Sequence, residues 1–165
     1  MILLTKHPQY VKKLREELAK SKSPADCEYL KFVLRESSRI LPVIALGPTR
    51  VAGRDFDAGK GEIIPKGAWI FLPQIAPNRN EDVFEDPETF NPDRWYGATP
   101  EMNNSVLTFG LGVRNCVGQA LATAELNSIL PRIVSQYDFE IEEEGSLDFF
   151  LTLKHVGTKL RAKPL

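Results

Sequence analysis

The sequence predicts an α+β fold that is mainly α-helical, and three observations support this prediction. Apolar residues recur at helical spacing in the segments 9–20 and 27–40, and again from Cys116 to about residue 137. Short apolar or alternating runs between turn residues, in the segments 49–72 and 139–163, are typical of strands. A chain of 165 residues can form one domain with a core. We therefore expect residues 1–165 to form a single domain.

The first part of the chain predicts two helices separated by a short linker. A charged helix is expected from Gln9 to Lys20, after a break at Pro8. A more apolar helix is expected over residues 27–40, and either Ser23 or Asp26 could cap its N-terminus.

The second helix carries a carboxylate and a guanidinium three residues apart, Glu36 and Arg39, which places both on one helix face. An exposed pair of this kind contributes little stability. Because the helix is apolar on most sides, we expect this pair to be buried, and buried charges need further partners.

A small sheet and an ordered loop follow. Strands are expected over 49–52, 62–64 and 68–72, the last of them apolar enough to be buried on both faces. The proline-punctuated segment 82–95 contains three large aromatic residues. Because such rings bury much apolar area, we expect this loop to be ordered.

The segment from Phe109 to Gly118 is a glycine-rich loop that leads a cysteine into a helix. Gly110, Gly112 and Gly118 allow tight turns and a close approach to a flat ligand. Cys116 is expected in the first turn of the helix, where the helix dipole and the nearby Arg114 would favour a thiolate. A thiolate can ligate a soft or borderline metal, and haem iron is the leading candidate. A buried structural cysteine is the alternative.

Three motifs resemble those of the cytochrome P450 family. Glu36-x-x-Arg39 resembles the family's ExxR motif, and the segment 92–95 resembles its PxRF-type motif. The cysteine loop resembles the family's haem-binding signature, and the residues that match are Phe109, Gly112, Arg114, Cys116 and Gly118. The resemblance implies the C-terminal part of the P450 fold, with the ExxR helix, a small β-sheet, the cysteine-ligand loop and a following long helix.

The resemblance also implies a cofactor and an activity. The cofactor would be haem b (iron protoporphyrin IX), with Cys116 as the axial ligand of the iron, and Arg94 would join Glu36 and Arg39 in one network. The activity would be NAD(P)H- and O₂-dependent monooxygenation of a small hydrophobic substrate, with electrons from a reductase. Asn78, Phe84 and Pro131 depart from residues that are common in the family at these positions.

Candidate substrate-facing residues follow from the same resemblance. The segment after the ExxR helix would face substrate, and so would a turn near the C-terminus. The residues concerned are Val43, Ile44, Ala45, Leu46 and Phe150. Core packing explains these apolar residues equally well.

Composition excludes several classes of protein. The net charge of −1, with no polybasic run, argues against nucleic-acid binding. Two cysteines far apart, Cys27 and Cys116, predict neither a disulfide framework nor a zinc ribbon. No apolar run approaches about 18 residues, so a transmembrane helix is not expected. The cellular location stays open: eukaryotic-type relatives sit on the endoplasmic reticulum membrane, but this chain shows no anchor.

By the resemblance, the chain corresponds to about the C-terminal third of a family member. The helix that carries the oxygen-activating acid–threonine pair in the family is not found in the sequence. Two interpretations therefore remain: a monooxygenase, or a truncated fragment that binds haem or is non-functional, without turnover.

Overall fold

The computed structural model describes residues 1–150 and 152–165. Its α-helices include the predicted ones and add short helices between them. They are α1 (Ile2–Lys6), α2 (Pro8–Lys20), α3 (Glu28–Ile40), α4 (Ile75–Asn78), α5 (Pro100–Ser105) and α6 (Gln119–Gln136). Short 3₁₀ turns lie at Pro24–Asp26, Pro92–Gly97 and Gly112–Arg114.

The strands are short and pair antiparallel, two by two. They are β1 (Thr49–Val51), β2 (Phe56–Asp57), β3 (Ile63–Ile64), β4 (Trp69–Phe71), β5 (Tyr137–Glu143), β6 (Ser146–Phe149), β7 (Leu153–Val156) and β8 (Lys159–Pro164). Strand β1 pairs with β4, β2 with β3, β5 with β8, and β6 with β7. The predicted fold class, mainly α with small sheets, is confirmed.

Two buried clusters hold these elements together. The larger cluster packs α2, α3 and α6 against one another and includes Leu14, Leu30, Val33 and Val134. The smaller cluster lies beside α5 and consists of Phe84, Trp95, Met102 and Val106. The order predicted for the segment 82–95 is confirmed, because its aromatic rings contribute to both clusters.

The predicted cap of the second helix is wrong. The N-cap residue of α3 is Cys27, which makes no side-chain capping bond. Ser23 Oγ instead donates to Asp26 Oδ2 across 2.8 Å, and the segment between them is a 3₁₀ turn. The two polar residues therefore stabilise the linker, because the turn places them opposite each other and before the helix.

The predicted burial of the segment 68–72 is also wrong. Trp69 and Phe71 in β4 are 72% and 63% exposed, because β4 pairs only with β1 among the described residues. An apolar strand is buried only if another element of the fold packs on it. The composition of the strand does not tell whether such an element is present.

Strand β6 ends at Phe149 and strand β7 begins at Leu153. The segment 139–163, for which the sequence predicts strands, includes Leu151, which lies outside the described residues. Phe150 is 89% exposed, so the interpretation of Phe150 as a core residue is wrong.

Within the described part of the chain, no helix has the length and apolar character needed to cross a bilayer.

Candidate functional site

Backbone hydrogen bonds fold the cysteine loop into a closed turn. The amide of Cys116 donates to the carbonyl oxygen of Phe109 (2.7 Å), and the amide of Asn115 donates to that of Gly112 (3.1 Å). Gly110 and Gly112 have φ angles of +74° and +71°. Because side chains disfavour this left-handed region, the turn requires glycine at these two positions.

Cys116 lies just before α6 rather than in its first turn, which corrects the sequence expectation. The helix begins at Gln119, whose amide donates to the carbonyl oxygen of Cys116 (3.2 Å), and Gly118 is the N-cap. Cys116 is exposed, whereas Cys27 is buried. The alternative of a buried structural cysteine is therefore wrong for Cys116 and describes Cys27 instead.

The Cys116 thiol borders a large cleft, which we call the cysteine cleft. Its volume is about 930 Å³, and its walls come from three segments of the chain. These segments are the loop that enters β1, the end of β4 with α4, and the residues from the end of α5 through the cysteine loop. Among the predicted cofactor-binding residues, the structure brings Phe109, Gly112, Arg114 and Cys116 together at this cleft. A cleft of this size can hold most of a large flat ligand.

Sequence reasoning missed Arg50, a second cation at the cysteine cleft. Arg50 lies in β1, opposite Ile70 of β4, and its Nη1 donates to the carbonyl oxygen of Thr49 (2.9 Å). Arg114 approaches the same cleft from the cysteine loop. The signal that could have found Arg50 is a cation in a predicted strand that follows the apolar segment 43–47.

The residues of the cysteine cleft fit haem. Apolar side chains that point to solvent include Phe71 and Leu111, which are 63% and 71% exposed. Exposed apolar surface of this kind marks a ligand or partner site. The cleft thus offers a thiol for iron, apolar walls for the macrocycle, and the guanidiniums of Arg50 and Arg114 for two carboxylates.

A buried ion-pair network is centred on α3. The side chains of Glu36 and Arg39 are 0% exposed. Arg39 binds Glu36 through two bonds, Nε to Oε2 (2.9 Å) and Nη2 to Oε1 (2.8 Å). Arg94 Nε donates to Glu36 Oε1 (3.0 Å). The structure therefore brings together the three residues of the network that the resemblance implies.

Two further donors to Glu36 were not foreseen from the sequence. Trp95 Nε1 donates to Glu36 Oε2 (2.9 Å), and the backbone amide of Asn91 donates to Oε1 (3.0 Å). Spare donors of Arg39 reach carbonyl oxygens, including those of Pro87 (2.6 Å) and Thr89 (3.1 Å). These bonds offset the cost of removing the three charges from water.

Asn78 and Arg79 join the end of α3 to the following loop. Asn78 Nδ2 donates to the carbonyl oxygen of Arg39 (3.1 Å), and Arg79 Nη2 donates to that of Ile40 (2.9 Å). Burial, and to a lesser degree the charge of Arg39, lowers the pKa of Arg79. Asn78, at which the sequence departs from the family pattern, therefore connects the loop to the C-terminal end of α3.

The candidate substrate-facing residues do not form one surface. Ile44 lines the cysteine cleft, whereas Val43 lines a separate groove of about 800 Å³ between α3 and α6. Leu46 is 52% exposed and Ala45 is buried. The highly exposed Phe150 lies just beyond the end of β6.

Comparison with known proteins gives one consistent result. A family model described as "Cytochrome P450" matches residues 1–163. "Cytochrome P450 monooxygenase lnbC" of Aspergillus flavus is 33% identical over 120 residues, which is 71% of this chain and 24% of that protein. The human "25-hydroxyvitamin D-1 alpha hydroxylase, mitochondrial" is 32% identical over 151 residues, or 84% of this chain and 29% of that protein.

Solved structures agree with the sequence comparisons. A crystal structure of the cytochrome P450 CYP102L1 superposes with a TM-score of 0.83 at 26% identity, covering 98% of this chain and 40% of that one. The retinoic acid bound cyanobacterial CYP120A1 superposes with a TM-score of 0.87 at 23% identity, covering 99% and 40%, which supports the fold. The chain spans about a quarter to a third of the length of the curated relatives it matches.

Proposed function

This chain belongs to the cytochrome P450 family, and we propose that it forms the thiolate-bearing haem site of a monooxygenase. The sulfur of Cys116 would bind the haem iron. The observation that carries the proposal is the exposed thiol of Cys116, held by a glycine turn at the edge of an apolar cleft of about 930 Å³. Relatives named as monooxygenases support the activity.

The cofactor we propose is haem b, held by the cysteine loop and two arginines. Cys116, Phe109, Gly112, Arg114 and Arg50 all line the cleft. Cys116 would bind the iron, and the guanidiniums of Arg114 and Arg50 would pair with the propionates. Gly118 lies next to the thiol, and a Cβ added there would be in ordinary van der Waals contact with Sγ, at 3.8 Å. A haem with a thiolate ligand supplies the chemistry of dioxygen cleavage and oxygen insertion.

The protein's own residues orient the sulfur. The bond from the Cys116 amide to the Phe109 carbonyl fixes the backbone on which the thiol stands. The N-terminus of α6 begins three residues later, and its dipole favours an anion at that end. The apolar walls of the cleft exclude water from the part of a ligand that they cover, which strengthens electrostatic effects there.

We propose a small hydrophobic substrate and an external source of electrons. Ile44 is the best placed of the predicted contacts, because it lines the cysteine cleft. Val43, Leu46 and Phe150 present apolar surface that substrate or other protein segments would cover. Ala45 is buried and serves packing. Electrons would come from NAD(P)H through a reductase, as the resemblance implies.

A second candidate function is haem binding without turnover. The openness of the cysteine cleft favours it, because Val113 in its wall is fully exposed. Beyond the cleft, Val117 is also fully exposed and Leu121 is 65% exposed. A haem bound to this surface would leave much apolar porphyrin in contact with water, where oxygen chemistry is poorly controlled.

Titration of the purified chain with haem tests the proposal. We expect saturable binding, and a red-shifted, thiolate-type Soret band in the ferrous carbonyl form. Cys116→Ser should abolish that band, whereas Cys27→Ser, which alters the buried cysteine, should keep it. An unchanged band in Cys116→Ser would overturn the assignment of the ligand.

Oxidation of a fatty acid or terpene probe with NADPH and a reductase separates the two candidate functions. Product supports the monooxygenase, and absence of product in a haem-loaded protein supports haem binding alone.

A further inference from the structure

Trp95 touches two parts of the structure that the ion-pair network alone does not join. Its indole nitrogen donates to Glu36 Oε2 (2.9 Å) on α3. Its ring belongs to the buried cluster with Met102 of α5 and Val106, the residue that follows α5. The side chain is therefore fixed at one end by a charge-assisted hydrogen bond and at the other by apolar packing.

The ring of Trp95 is enclosed on further sides. The guanidinium carbon of Arg35 lies 4.3 Å from the ring centroid, and Arg35 Nη2 donates to the carbonyl oxygen of Asn103 in α5 (3.0 Å). The ring of Phe84 meets Trp95 edge to face at 6.0 Å between centroids. A tryptophan that is 4% exposed and held in this way has little rotational freedom.

Residue 106 leads directly into the cysteine loop. Only Leu107 and Thr108 separate Val106 from Phe109, whose carbonyl oxygen accepts the amide of Cys116. A displacement of Val106 is therefore passed along two residues to the hydrogen bond that closes the turn. Packed side chains with defined partners are a physical route for such coupling.

We propose that Trp95 is a positioning residue that couples the Glu36 carboxylate to the Cys116 loop. Its N–H fixes the indole against α3, and the indole fixes the start of the loop through Met102 and Val106. The inference rests on the proposed function only in that the loop is taken as the haem-binding loop.

The test is amide hydrogen exchange of the purified chain without haem. Trp95→Phe keeps an aromatic ring and removes the N–H donor. We expect the amides of Asn115 and Cys116 to exchange roughly tenfold faster, as loss of a hydrogen bond to a charged group allows. Amides of β5 and β8 should keep their rates. Equal acceleration at all amides would indicate a general loss of stability and overturn the proposal.

The chain offers a matched control and a second variant. Trp69→Phe makes the same chemical change at the other tryptophan, which is 72% exposed, and should leave the loop amides unchanged. Val106→Ala keeps the indole bond and loosens the contact with the loop. It should reproduce the acceleration confined to the loop even if Trp95→Phe does not fold. Unchanged loop exchange in Val106→Ala would refute the coupling.

Haem titration adds a spectroscopic readout. In Trp95→Phe, the thiolate-type Soret band should weaken relative to total bound haem, whereas Trp69→Phe should match the unmodified chain. An undiminished band in Trp95→Phe counts against the coupling. Absence of the band in Trp69→Phe and in the unmodified chain would contradict the proposed function instead, and the exchange experiment would still decide the coupling.

Discussion

The backbone amide of Cys116 donates a 2.7 Å hydrogen bond to the carbonyl oxygen of Phe109, and both residues line the same cleft. The position of the sulfur is therefore set by main-chain geometry between these two residues. Gly110 and Gly112 lie between them and supply the left-handed conformations that the turn needs. This dependence makes the turn sensitive to single glycine substitutions.

Gly112→Ala should destabilise the cysteine loop by about 1–2 kcal/mol, the usual cost of a left-handed conformation for a residue with a Cβ. Gly112 has φ +71°, and an added Cβ would meet no atom within 4 Å, so the cost comes from the backbone and not from a clash. Amide exchange in the loop and haem affinity measure the effect.

Gly53→Ala is the control for this prediction. Gly53 also has open space around an added Cβ, but its φ lies outside the left-handed region. We expect wild-type loop exchange and haem affinity in this variant. Equal effects of the two substitutions would show that the left-handed backbone conformation of Gly112 does not cause the loss of loop stability.

Glu36→Ala should lower the free energy of unfolding by about 3–5 kcal/mol, because it leaves buried guanidiniums without a counter-charge. Arg39 is fully buried, and the side chain of Arg94 is 8% exposed. Urea denaturation, followed by circular dichroism, measures the loss. Haem binding should fall in parallel.

Glu17→Ala provides a comparison at the same spacing. Glu17 and Lys20 form an i, i+3 pair on α2, with side chains 41% and 71% exposed. Exposed pairs contribute about 0–1 kcal/mol, so this variant should unfold almost as the unmodified chain does. A similar loss in both variants would show that burial does not set the strength of the Glu36 network.

The Glu36 network also shows how far sequence reasoning reaches. The pattern of apolar residues on α3 was enough to predict that Glu36 and Arg39 are buried. The donors Trp95 and Asn91 come from a loop more than fifty residues away, and periodicity within a helix carries no information about them.

Exposure of strands was the least predictable property. Trp69 and Phe71 belong to an apolar run, yet they are exposed in the described chain. Hydrophobic composition indicates that a surface favours burial. Whether another element covers that surface depends on the tertiary structure. Arg50 was missed for the same reason, since only the folded chain brings β1 beside the cysteine loop.

Arg50→Ala should weaken haem binding by up to about fivefold, the range expected for loss of a partly exposed ion pair with a propionate. The guanidinium of Arg50 lines the cysteine cleft together with Arg114. The contribution should shrink as salt is raised, because exposed charges are screened. Haem titrations at low and high ionic strength measure both effects.

Arg54→Ala is the matched change for Arg50. Arg54 is an exposed arginine of the neighbouring turn and is not among the residues that line the cysteine cleft. Its removal alters the net charge equally and should leave the affinity for haem unchanged. If Arg54→Ala weakens binding as much as Arg50→Ala, the effect is one of overall charge and not of a contact with the cofactor.

The stability of the chain should fall in alkaline solution because of a cluster at Asp93. Tyr29 donates its hydroxyl to Asp93 Oδ1 (2.8 Å), and Lys13 Nζ donates to the same oxygen (2.8 Å). Burial, reinforced by the bond to Asp93, raises the pKa of Tyr29, and the bond to Asp93 raises the pKa of Lys13.

A pKa that is raised in the folded state stabilises the fold below the unfolded pKa and ceases to do so as pH rises through the folded value. For Tyr29 the unfolded pKa is about 10, so its contribution is complete at neutral pH and declines from about pH 10 upward. The free energy of unfolding should therefore decrease by about 1 kcal/mol per pH unit above that point.

In Tyr29→Phe the decrease should be smaller, although the variant starts from a lower stability because the bond to Asp93 is lost. Denaturant titrations at about pH 8 and about pH 11 measure how steeply the unmodified chain and Tyr29→Phe each lose stability with pH. Tyr137→Phe, at a half-buried tyrosine of β5, controls for the removal of one phenol and should keep the slope of the unmodified chain. Identical slopes in the unmodified chain and in Tyr29→Phe would rule out the Asp93 cluster as the source of alkaline sensitivity.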